Sequence, residues 1–514
     1  MTLIAVALVV FALLGAPLYA IFGAASIALF MSLPEGTMAS VAIDVFSARF
    51  ADSPTLMTIP LFTFSGYLLA ESGTPRRLVE LSKAWLGWMP GGLAAVCLMA
   101  SAFFTTFTGG SGVTIIAVGG LLLPALISER YPERFSLGLI TAGGSLGLLF
   151  PPSVPLILYG LIAGLVVDKV LLAGVLPGVI TVLALVIHAG FVGTRARVPS
   201  TPFNLSRALK ALWVSGWEVA IPIWLIGGLA FGLFRIHEAS AFAAVYVLLT
   251  QVLLYRDVSI REDLPRIVRE SMTLVGAILA ILATAIGFVG WLVQAQIPTK
   301  LVELMESVIT SPVAFLLVLN VFLLFVGMLM DIFSAIVVVV PLILPLAYAY
   351  GVDPYHLAII FLLNLEIGYL TPPVGINLFI SSIRFEKPVT YLYRSVLPFI
   401  GILVVALLIV TYVPWLSTYL PSLIDVDEER SLGRHGGAVE QPLSGRDDEL
   451  PRASDEPEDD IMAGLFDDDE DAGVEDAGDA KEEAASSDHS KSSVPGVKTD
   501  AQAPTPSQPD TDAG

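Results

Sequence analysis

The sequence has few charged residues and almost no cysteine. Asp, Glu, Lys and Arg make up 14% of its 514 residues, whereas hydrophobic residues make up 55%. The single cysteine, Cys97, excludes an intrachain disulfide framework, and its apolar neighbours indicate that it fills space in a core. The histidines form no cluster with cysteine or carboxylates at metal-ligand spacing, and neither a P-loop nor a nucleophile elbow is present. We therefore predict that the chain is not an enzyme and has no bound cofactor.

Apolar segments of membrane-spanning length recur from the first residue to about Pro421. A helix needs about 20 apolar residues to cross a bilayer. The N-terminus lacks a basic region and a cleavage site of small residues, so we expect a retained helix rather than a signal peptide. "GAP" at 15–17 leaves open whether residues 2–32 form one tilted helix or two. These features predict an all-α polytopic membrane protein.

The formal net charge of −20 is concentrated in the C-terminal tail. Residues 425–514 contain 27 acidic and 7 basic residues, whereas the part of the chain before them contains 20 of each. The tail has too few apolar residues to offset the entropy lost on ordering, so we predict that 425–514 is disordered. It is either a solvated appendage or, at "DIMAGLF" (460–466), a carrier of one short binding segment.

The membrane part consists of two related halves. "LLLP" at 121–124 matches "LILP" at 342–345, and "GLLFPP" at 147–152 matches "GYLTPP" at 368–373, so that the spacing from Pro124 to Pro345 equals that from Pro152 to Pro373. "FSGYL" from Phe64 pairs with "FVGWL" from Phe288 at nearly the same spacing. We infer a first repeat over 1–213 and a second over 214–420.

Each repeat contains an apolar run that is too long for one crossing. Between Lys83 and Glu129 stand 45 residues without a charge, which as one helix would extend roughly 67 Å. We predict re-entrant hairpins near 88–130 and 311–351. Basic residues flank the first hairpin, but the loop before the second carries only Lys300 against Glu303 and Glu306. Because cytoplasmic loops are enriched in Lys and Arg, the repeats should have inverted topology, as in secondary transporters.

The hairpin tips and two proline pairs are the candidate ion sites. An unwound turn frees backbone carbonyls, which suit a hard cation, and the N-termini of half-helices attract carboxylates. Pro151–Pro152 and Pro372–Pro373 should each break a crossing helix beside a tip. The small residues at the first tip have an alternative explanation in close helix packing, and a proline pair alone can be a simple kink.

Asp331 stands in the second apolar run with no base nearby in sequence, and it either contacts a cation or caps a half-helix. Glu366, shortly before the second break, is expected to hydrogen-bond neighbouring helices instead. We predict that substrate contacts Ser111, Thr114 and Asn377. The predicted ion ligands are Thr108, Gly109, Gly110, Ser111 and Gly112 with Pro152 and Ser153, and Gly327, Met328, Asp331 and Ser334 with Thr371, Pro372, Val374 and Gly375.

Four segments together resemble one known family. "FTGGSGVT", "GSLGLLFPPSVPLILYG", "DIFSAIVVVVPLILPLA" and "NLEIGYLTPPVGINLF" are similar to the large membrane subunit of TRAP (tripartite ATP-independent periplasmic) transporters, of the ion transporter superfamily. The resemblance covers about residues 1–420. It departs at the first tip, where the family usually has "SGSS", and the acidic tail has no counterpart in the family pattern.

This resemblance implies a permease subunit in the bacterial inner membrane that imports an organic acid with sodium by an elevator mechanism. It also implies two partners, a small four-helix membrane subunit and a periplasmic solute-binding protein. The alternative within the same architecture is an autonomous sodium/dicarboxylate symporter or exchanger without a binding protein. The duplicated broken helices disfavour a channel or a purely structural subunit.

Overall fold

The computed structural model describes residues 10–11, 16–31, 54–89, 91–198 and 202–423, which form helices and connecting turns without a β-strand. The helices are α1 (Leu18–Phe30), α2 (Thr58–Glu71), α3 (Thr74–Leu86), α4 (Gly92–Thr108), α5 (Ser111–Ser128), α6 (Glu133–Gly143), α7 (Val154–Ala163), α8 (Val167–Ala173), α9 (Val175–Arg195), α10 (Leu205–Ala230), α11 (Ile236–Leu249), α12 (Asp263–Gln294), α13 (Ile297–Val308), α14 (Pro312–Leu329), α15 (Ile332–Ala349), α16 (Pro354–Gly368), α17 (Ile376–Phe385) and α18 (Val389–Tyr412). Short 3₁₀-helices span Pro54–Met57 and Leu146–Leu149, and a π-helical turn spans Thr250–Leu254.

Eight of the described helices are long and apolar enough to cross a membrane, or nine spans if the bent pair Glu133–Leu149 and Val154–Ala163 counts as one. The bend between the two members of this pair is 45°. Large hydrophobic side chains remain exposed on these helices, among them Trp213, Ile223 and Phe231. Exposed apolar surface on this scale is the arrangement that lipid requires. The prediction of an all-α polytopic membrane protein is confirmed.

Both long apolar runs fold as helix hairpins. The first hairpin consists of α4 and α5, which are separated by Gly109 and Gly110, and the second consists of α14 and α15, which are separated by Met330 and Asp331. Gly109 has φ +64°, a left-handed conformation that glycine adopts without the steric cost of a Cβ. The arms α5 and α15 both have 18 residues, and their first residues are separated along the chain by the same spacing as the sequence matches.

The proline pairs interrupt the helices that follow the hairpins. The first break separates the 3₁₀-helix Leu146–Leu149 from α7, and the second separates α16 from α17. Both proline pairs have a cis peptide bond. Each break removes backbone donors from what would otherwise be one continuous helix, because proline has no N–H.

The two hairpins and the two broken helices interlock. The first arm of each hairpin packs beside its own repeat's broken helix: α4 contacts the 3₁₀-helix Leu146–Leu149, and α14 contacts α16. The second arm packs on the half-helix of the other repeat, so that α5 contacts α17 and α15 contacts α7. Neither repeat can therefore form this cluster alone.

A partly buried ionic cluster connects helices outside this interlocked group. The Arg77 guanidinium in α3 pairs with Glu218 in α10 and with Asp257, and its Nη2 donates to Gln251 Oε1 at 3.0 Å. Tyr255 donates to the second carboxylate oxygen of Glu218 at 3.0 Å. Glu218 is only 1% exposed, so its charge depends on these partners.

Several sequence predictions lie outside the described residues. These are the disorder of residues 425–514, the binding segment at 460–466 and, within the N-terminal segment 2–32, residues 2–9, 12–15 and 32.

Candidate ion and substrate site

The tip of the first hairpin lies against the first helix break. A Cβ on Gly109 would approach Val154 Cβ to 3.0 Å, which places the tip beside the start of α7. The Thr108 hydroxyl lies 3.3 Å from the carbonyl oxygen of Gly110. Ser153, the residue before α7, is fully buried, and its hydroxyl has no hydrogen-bond partner. The predicted ligands of the first ion site are therefore neighbours, and one of them has an unused hydroxyl.

The same tip also contacts the half-helix after the second break. The Ser111 hydroxyl donates to Asn377 Oδ1 at 2.6 Å, although the two residues are 266 positions apart. The Asn377 amide group in turn lies 3.4 Å from the carbonyl oxygen of Thr141. A Cβ on Gly112 would approach Ile380 Cδ1 to 2.7 Å, so α5 and α17 are in close contact below the tip. Two of the three predicted substrate residues thus meet at one point.

Thr114, the third predicted substrate residue, lies elsewhere. Its hydroxyl is 2.8 Å from that of Thr105, and its side chain is buried between the two arms of the first hairpin. Thr105 Oγ1 also lies 2.7 Å from the carbonyl oxygen of Gly144. Thr114 therefore belongs to a polar contact that holds the hairpin to α6, and the structure does not bring it to Asn377.

The tip of the second hairpin lies against the second break. The Gly375 N–H is 3.4 Å from the carbonyl oxygen of Met328. A Cβ on Gly368 would lie 2.4 Å from the backbone carbon of Gly327, so no larger residue fits where α14 crosses α16. The Ile332 N–H, at the start of α15, donates to the Tyr369 hydroxyl at 2.5 Å. The segments 327–334 and 368–375 are thus in contact across the crossing, and the predicted ligands Met328 and Gly375 meet there.

Asp331 is the N-cap of α15. One carboxylate oxygen accepts from the Ser334 N–H at 3.0 Å, and the other accepts from the Ser334 hydroxyl. A carboxylate oxygen has more than one acceptor position, so this cap leaves Asp331 able to contact a cation as well. The two alternatives that the sequence left open are compatible in the structure.

The two breaks differ in exposure. Pro151, Pro152 and Ser153 are all buried, whereas Pro372 and Pro373 are exposed and Val374 is 37% exposed. Thr371 is half-buried, and its hydroxyl donates to the carbonyl oxygen of Ile367 at 2.9 Å. The second predicted ion site is therefore next to an open surface, and the first is enclosed by protein.

The helix ends at these crossings have complementary electrostatics. The C-termini of α4 and α14 end at the tips, and their last carbonyl groups lack intrahelical donors, which favours a cation. The N-termini of α5 and α15 begin at the same tips and favour an anion. Residues 375–377 contact both tips, through Met328 and through Ser111. The arrangement can hold a carboxylate next to cations.

Some polar groups of this region did not stand out in the sequence. Thr106, Thr141, Tyr369 and Ser381 all hydrogen-bond between interlocked elements; for example, Thr141 Oγ1 lies 2.9 Å from Ser381 Oγ. The sequence feature that could have identified these residues is a hydroxyl inside an otherwise apolar helix, as in "FFTTFTGG".

Glu366 differs from the sequence prediction that it hydrogen-bonds neighbouring helices. Its carboxylate is fully buried, and neither oxygen has a hydrogen-bond partner.

This geometry, duplicated hairpins seated on broken helices in a polytopic α-fold, is that of a secondary transporter. Residues 5–416 match the family model "Tripartite ATP-independent periplasmic transporter, DctM component". The chain belongs to this family of large TRAP permease subunits. It is therefore a multi-pass membrane transporter subunit and not an enzyme, as the sequence predicted.

Individual relatives agree with the family assignment. The chain is 32% identical to the C4-dicarboxylate TRAP transporter large permease protein DctM of Vibrio cholerae, with 80% of this chain and 95% of that protein covered. It is 35% identical to the protein of the same name from Pseudomonas aeruginosa, over 78% of this chain and 92% of that protein. The isethionate TRAP transporter permease protein DctMQ of Oleidesulfovibrio alaskensis is 33% identical, over 79% of this chain and 64% of that protein.

A solved structure shares the fold. The Alcanivorax borkumensis YdaH transporter superposes with a TM-score of 0.54 at 13% identity, over 80% of this chain and 98% of that one. At this identity the likeness concerns the fold alone.

Proposed function

We propose that this subunit imports an organic acid, most simply a dicarboxylate, with sodium as the coupling ion. The observation that carries the proposal is the pair of crossings at which each hairpin tip meets a proline-broken helix of its own repeat. The names of the relatives from Vibrio cholerae and Pseudomonas aeruginosa, which specify C4-dicarboxylates, support the substrate class.

Oxygen groups at both crossings support sodium coupling. The first crossing offers the unpartnered Ser153 hydroxyl, the Thr108 hydroxyl and the carbonyl groups around Gly109 and Gly110. The second offers Asp331, the Met328 carbonyl and Thr371. Backbone carbonyls and half-helix C-termini are the groups that coordinate sodium in transporters with discontinuous helices.

In this proposal, the substrate carboxylate binds between the two hairpin tips. Ser111 and Asn377 already form a polar contact there, and the N-termini of α5 and α15 supply positive partial charge. The bound anion would replace the Ser111–Asn377 hydrogen bond with bonds from both side chains. Sodium ions bound at the two crossings would offset the negative charge of the substrate carboxylate.

The interlocked packing favours an elevator mechanism. Because α5 packs on α17 and α15 packs on α7, each hairpin is held by both repeats. Sliding one hairpin past a broken helix would separate the groups that hold an ion. Movement of both hairpins and both broken helices as one body keeps those groups together.

The family description, tripartite and periplasmic, supports two partners, a small four-helix membrane subunit and a periplasmic solute-binding protein, in a bacterial inner membrane. The relative from Oleidesulfovibrio alaskensis is named DctMQ, and the chain covers 64% of that protein.

The test is uptake into proteoliposomes that contain the subunit with and without its membrane and soluble partners. We expect accumulation of a C4-dicarboxylate against its gradient only with an inward sodium gradient and only with both partners. Uptake by the subunit alone would indicate an autonomous symporter, and downhill flux that ignores sodium would indicate a channel.

A further inference from the structure

Glu366 is a buried carboxylate that the ion and substrate sites do not use. It lies in α16, its exposure is 0%, and both carboxylate oxygens lack a hydrogen-bond partner. An ionised carboxylate in such surroundings costs several kcal/mol, because no protein group offsets the lost hydration. A neutral carboxylic acid at the same place avoids most of this cost.

The surroundings of Glu366 contain no charge that pairs with it. The elements packed on α16 are α7, α8, α14, α15, α18 and the 3₁₀-helix Leu146–Leu149. Glu366 has no hydrogen-bond partner among the groups on these elements. Their titratable or charged groups are Tyr159, Asp168, Lys169, the cap residue Asp331, Tyr348, Tyr391, Tyr393, Arg394 and Tyr412.

A sodium ion is a poor occupant for this position, since a hard cation needs several oxygen ligands around it. Neither carboxylate oxygen of Glu366 has a hydrogen-bond partner, and the described residues contain no group of three or more His, Cys, Asp or Glu able to hold a metal. A proton, in contrast, requires no ligand other than one oxygen of the Glu366 carboxylate.

The internal repeat indicates that this position does not require a charge. At the spacing that relates the two proline pairs, Glu366 corresponds to Ser145, which is also fully buried. The neighbouring residues correspond too: Gly147 and Gly368 each pack their backbone on the first arm of their own hairpin. The fold is therefore compatible with an uncharged polar group at both places.

Glu366 lies near the second break along the chain. The exposed residues of this break begin at Pro372, six residues after Glu366. Since α16 belongs to the interlocked group, Glu366 would move with the second ion site.

We propose that Glu366 is a proton-binding site that takes up and releases a proton during the transport cycle. This proposal rests on the proposed sodium-driven transport only for the coupling of proton movement to the movement of sodium and substrate. The proton binds and leaves at the carboxylate, so that the loaded subunit carries sodium, the organic acid and one proton.

The direct test is chemical labelling of the wild-type subunit in the complete transporter. N,N′-dicyclohexylcarbodiimide reacts with protonated carboxyl groups in apolar surroundings, and mass spectrometry locates the modified residue. We expect labelling of Glu366 that falls about tenfold per pH unit once most sites have lost the proton. Absence of labelling at every pH, or labelling that ignores pH, would overturn the proposal. This readout does not depend on sodium-driven uptake, so it separates a failure here from a failure of the proposed function.

The functional test compares Glu366→Gln with the exposed control Glu303→Gln. Glutamine keeps the shape of the protonated acid without titrating. We expect Glu366→Gln to keep substrate exchange with a flat pH profile, and to lose the internal acidification that a trapped pH dye reports during wild-type uptake. Glu303→Gln should match wild type in both. A wild-type pH profile and acidification in Glu366→Gln would refute proton binding at this residue.

Discussion

Substitution of Asp331 by asparagine separates the two roles of this residue. In the structure its carboxylate caps α15 through both groups of Ser334. Asparagine caps helices about as well as aspartate, whereas alanine loses on the order of 1 kcal/mol of helix stability. Asp331→Asn therefore removes the charge and keeps the cap, and Asp331→Ala removes both.

The expected size of the effect depends on the distance from the carboxylate to the ion. At about 4 Å and an effective dielectric constant of about 20, two unit charges attract by roughly 4 kcal/mol. At about 8 Å in water the attraction is roughly 0.5 kcal/mol. Since each ~1.4 kcal/mol is a factor of ten, direct contact predicts a rise of tenfold or more in the half-saturating sodium concentration, and a remote charge predicts only about twofold.

The assay is the initial rate of substrate uptake into proteoliposomes as a function of sodium concentration, at equal amounts of inserted protein. Asp353→Asn is the matched control, because Asp353 caps α16 through the N–H groups of Tyr355 and His356 and lies away from both tips. Unchanged sodium dependence in Asp331→Asn, together with a loss in Asp331→Ala, would show that Asp331 is a cap only.

Three further outcomes are expected. Ser111→Ala and Asn377→Ala should each raise the substrate KM severalfold, and the double variant should cost more than the sum in free energy, because each single variant already removes the hydrogen bond that the bound anion must replace; additive effects would show that the substrate does not compete with this hydrogen bond. With Cys97 replaced, a disulfide crosslink between residues 108–112 and 151–155 should leave uptake largely intact, whereas one from a hairpin to α10 should stop it, and the reverse pattern would exclude movement as one body. Truncation after Glu440 should leave uptake at wild-type rates, and a reporter fused after Asp512 should mature outside the cytoplasm; loss of uptake at normal membrane levels, or a cytoplasmic reporter, would contradict these expectations.

The local features of the fold could be read from the sequence because their causes are local. Two consecutive prolines remove two backbone N–H donors, and "FPPS" and "TPPV" mark the two helix breaks. Glycines at 109 and 110 allow the turn between α4 and α5, and the charge-free run around them exceeds one membrane crossing. The hairpins, the breaks, the all-α polytopic class and the resemblance to TRAP permeases followed from such patterns.

The candidate site, in contrast, depends on contacts between distant segments. Helices that are apolar on every side give no amphipathic face from which a neighbour can be predicted. Nothing near Ser111 in the sequence indicates that its hydroxyl lies 2.6 Å from Asn377 Oδ1, and nothing near Thr105 indicates that its hydroxyl contacts the carbonyl oxygen of Gly144.

The sequence by itself thus determined the all-α polytopic class and where two apolar runs turn and two helices break, because backbone hydrogen bonding in lipid permits few solutions for each segment. Only the tertiary structure decided that each hairpin packs on the half-helix of the other repeat, that the first break is enclosed while the second is exposed, and that Glu366 has no partner. Those properties arise from how two repeats fit together, and close packing across a crossing depends on the shapes of both sides at once.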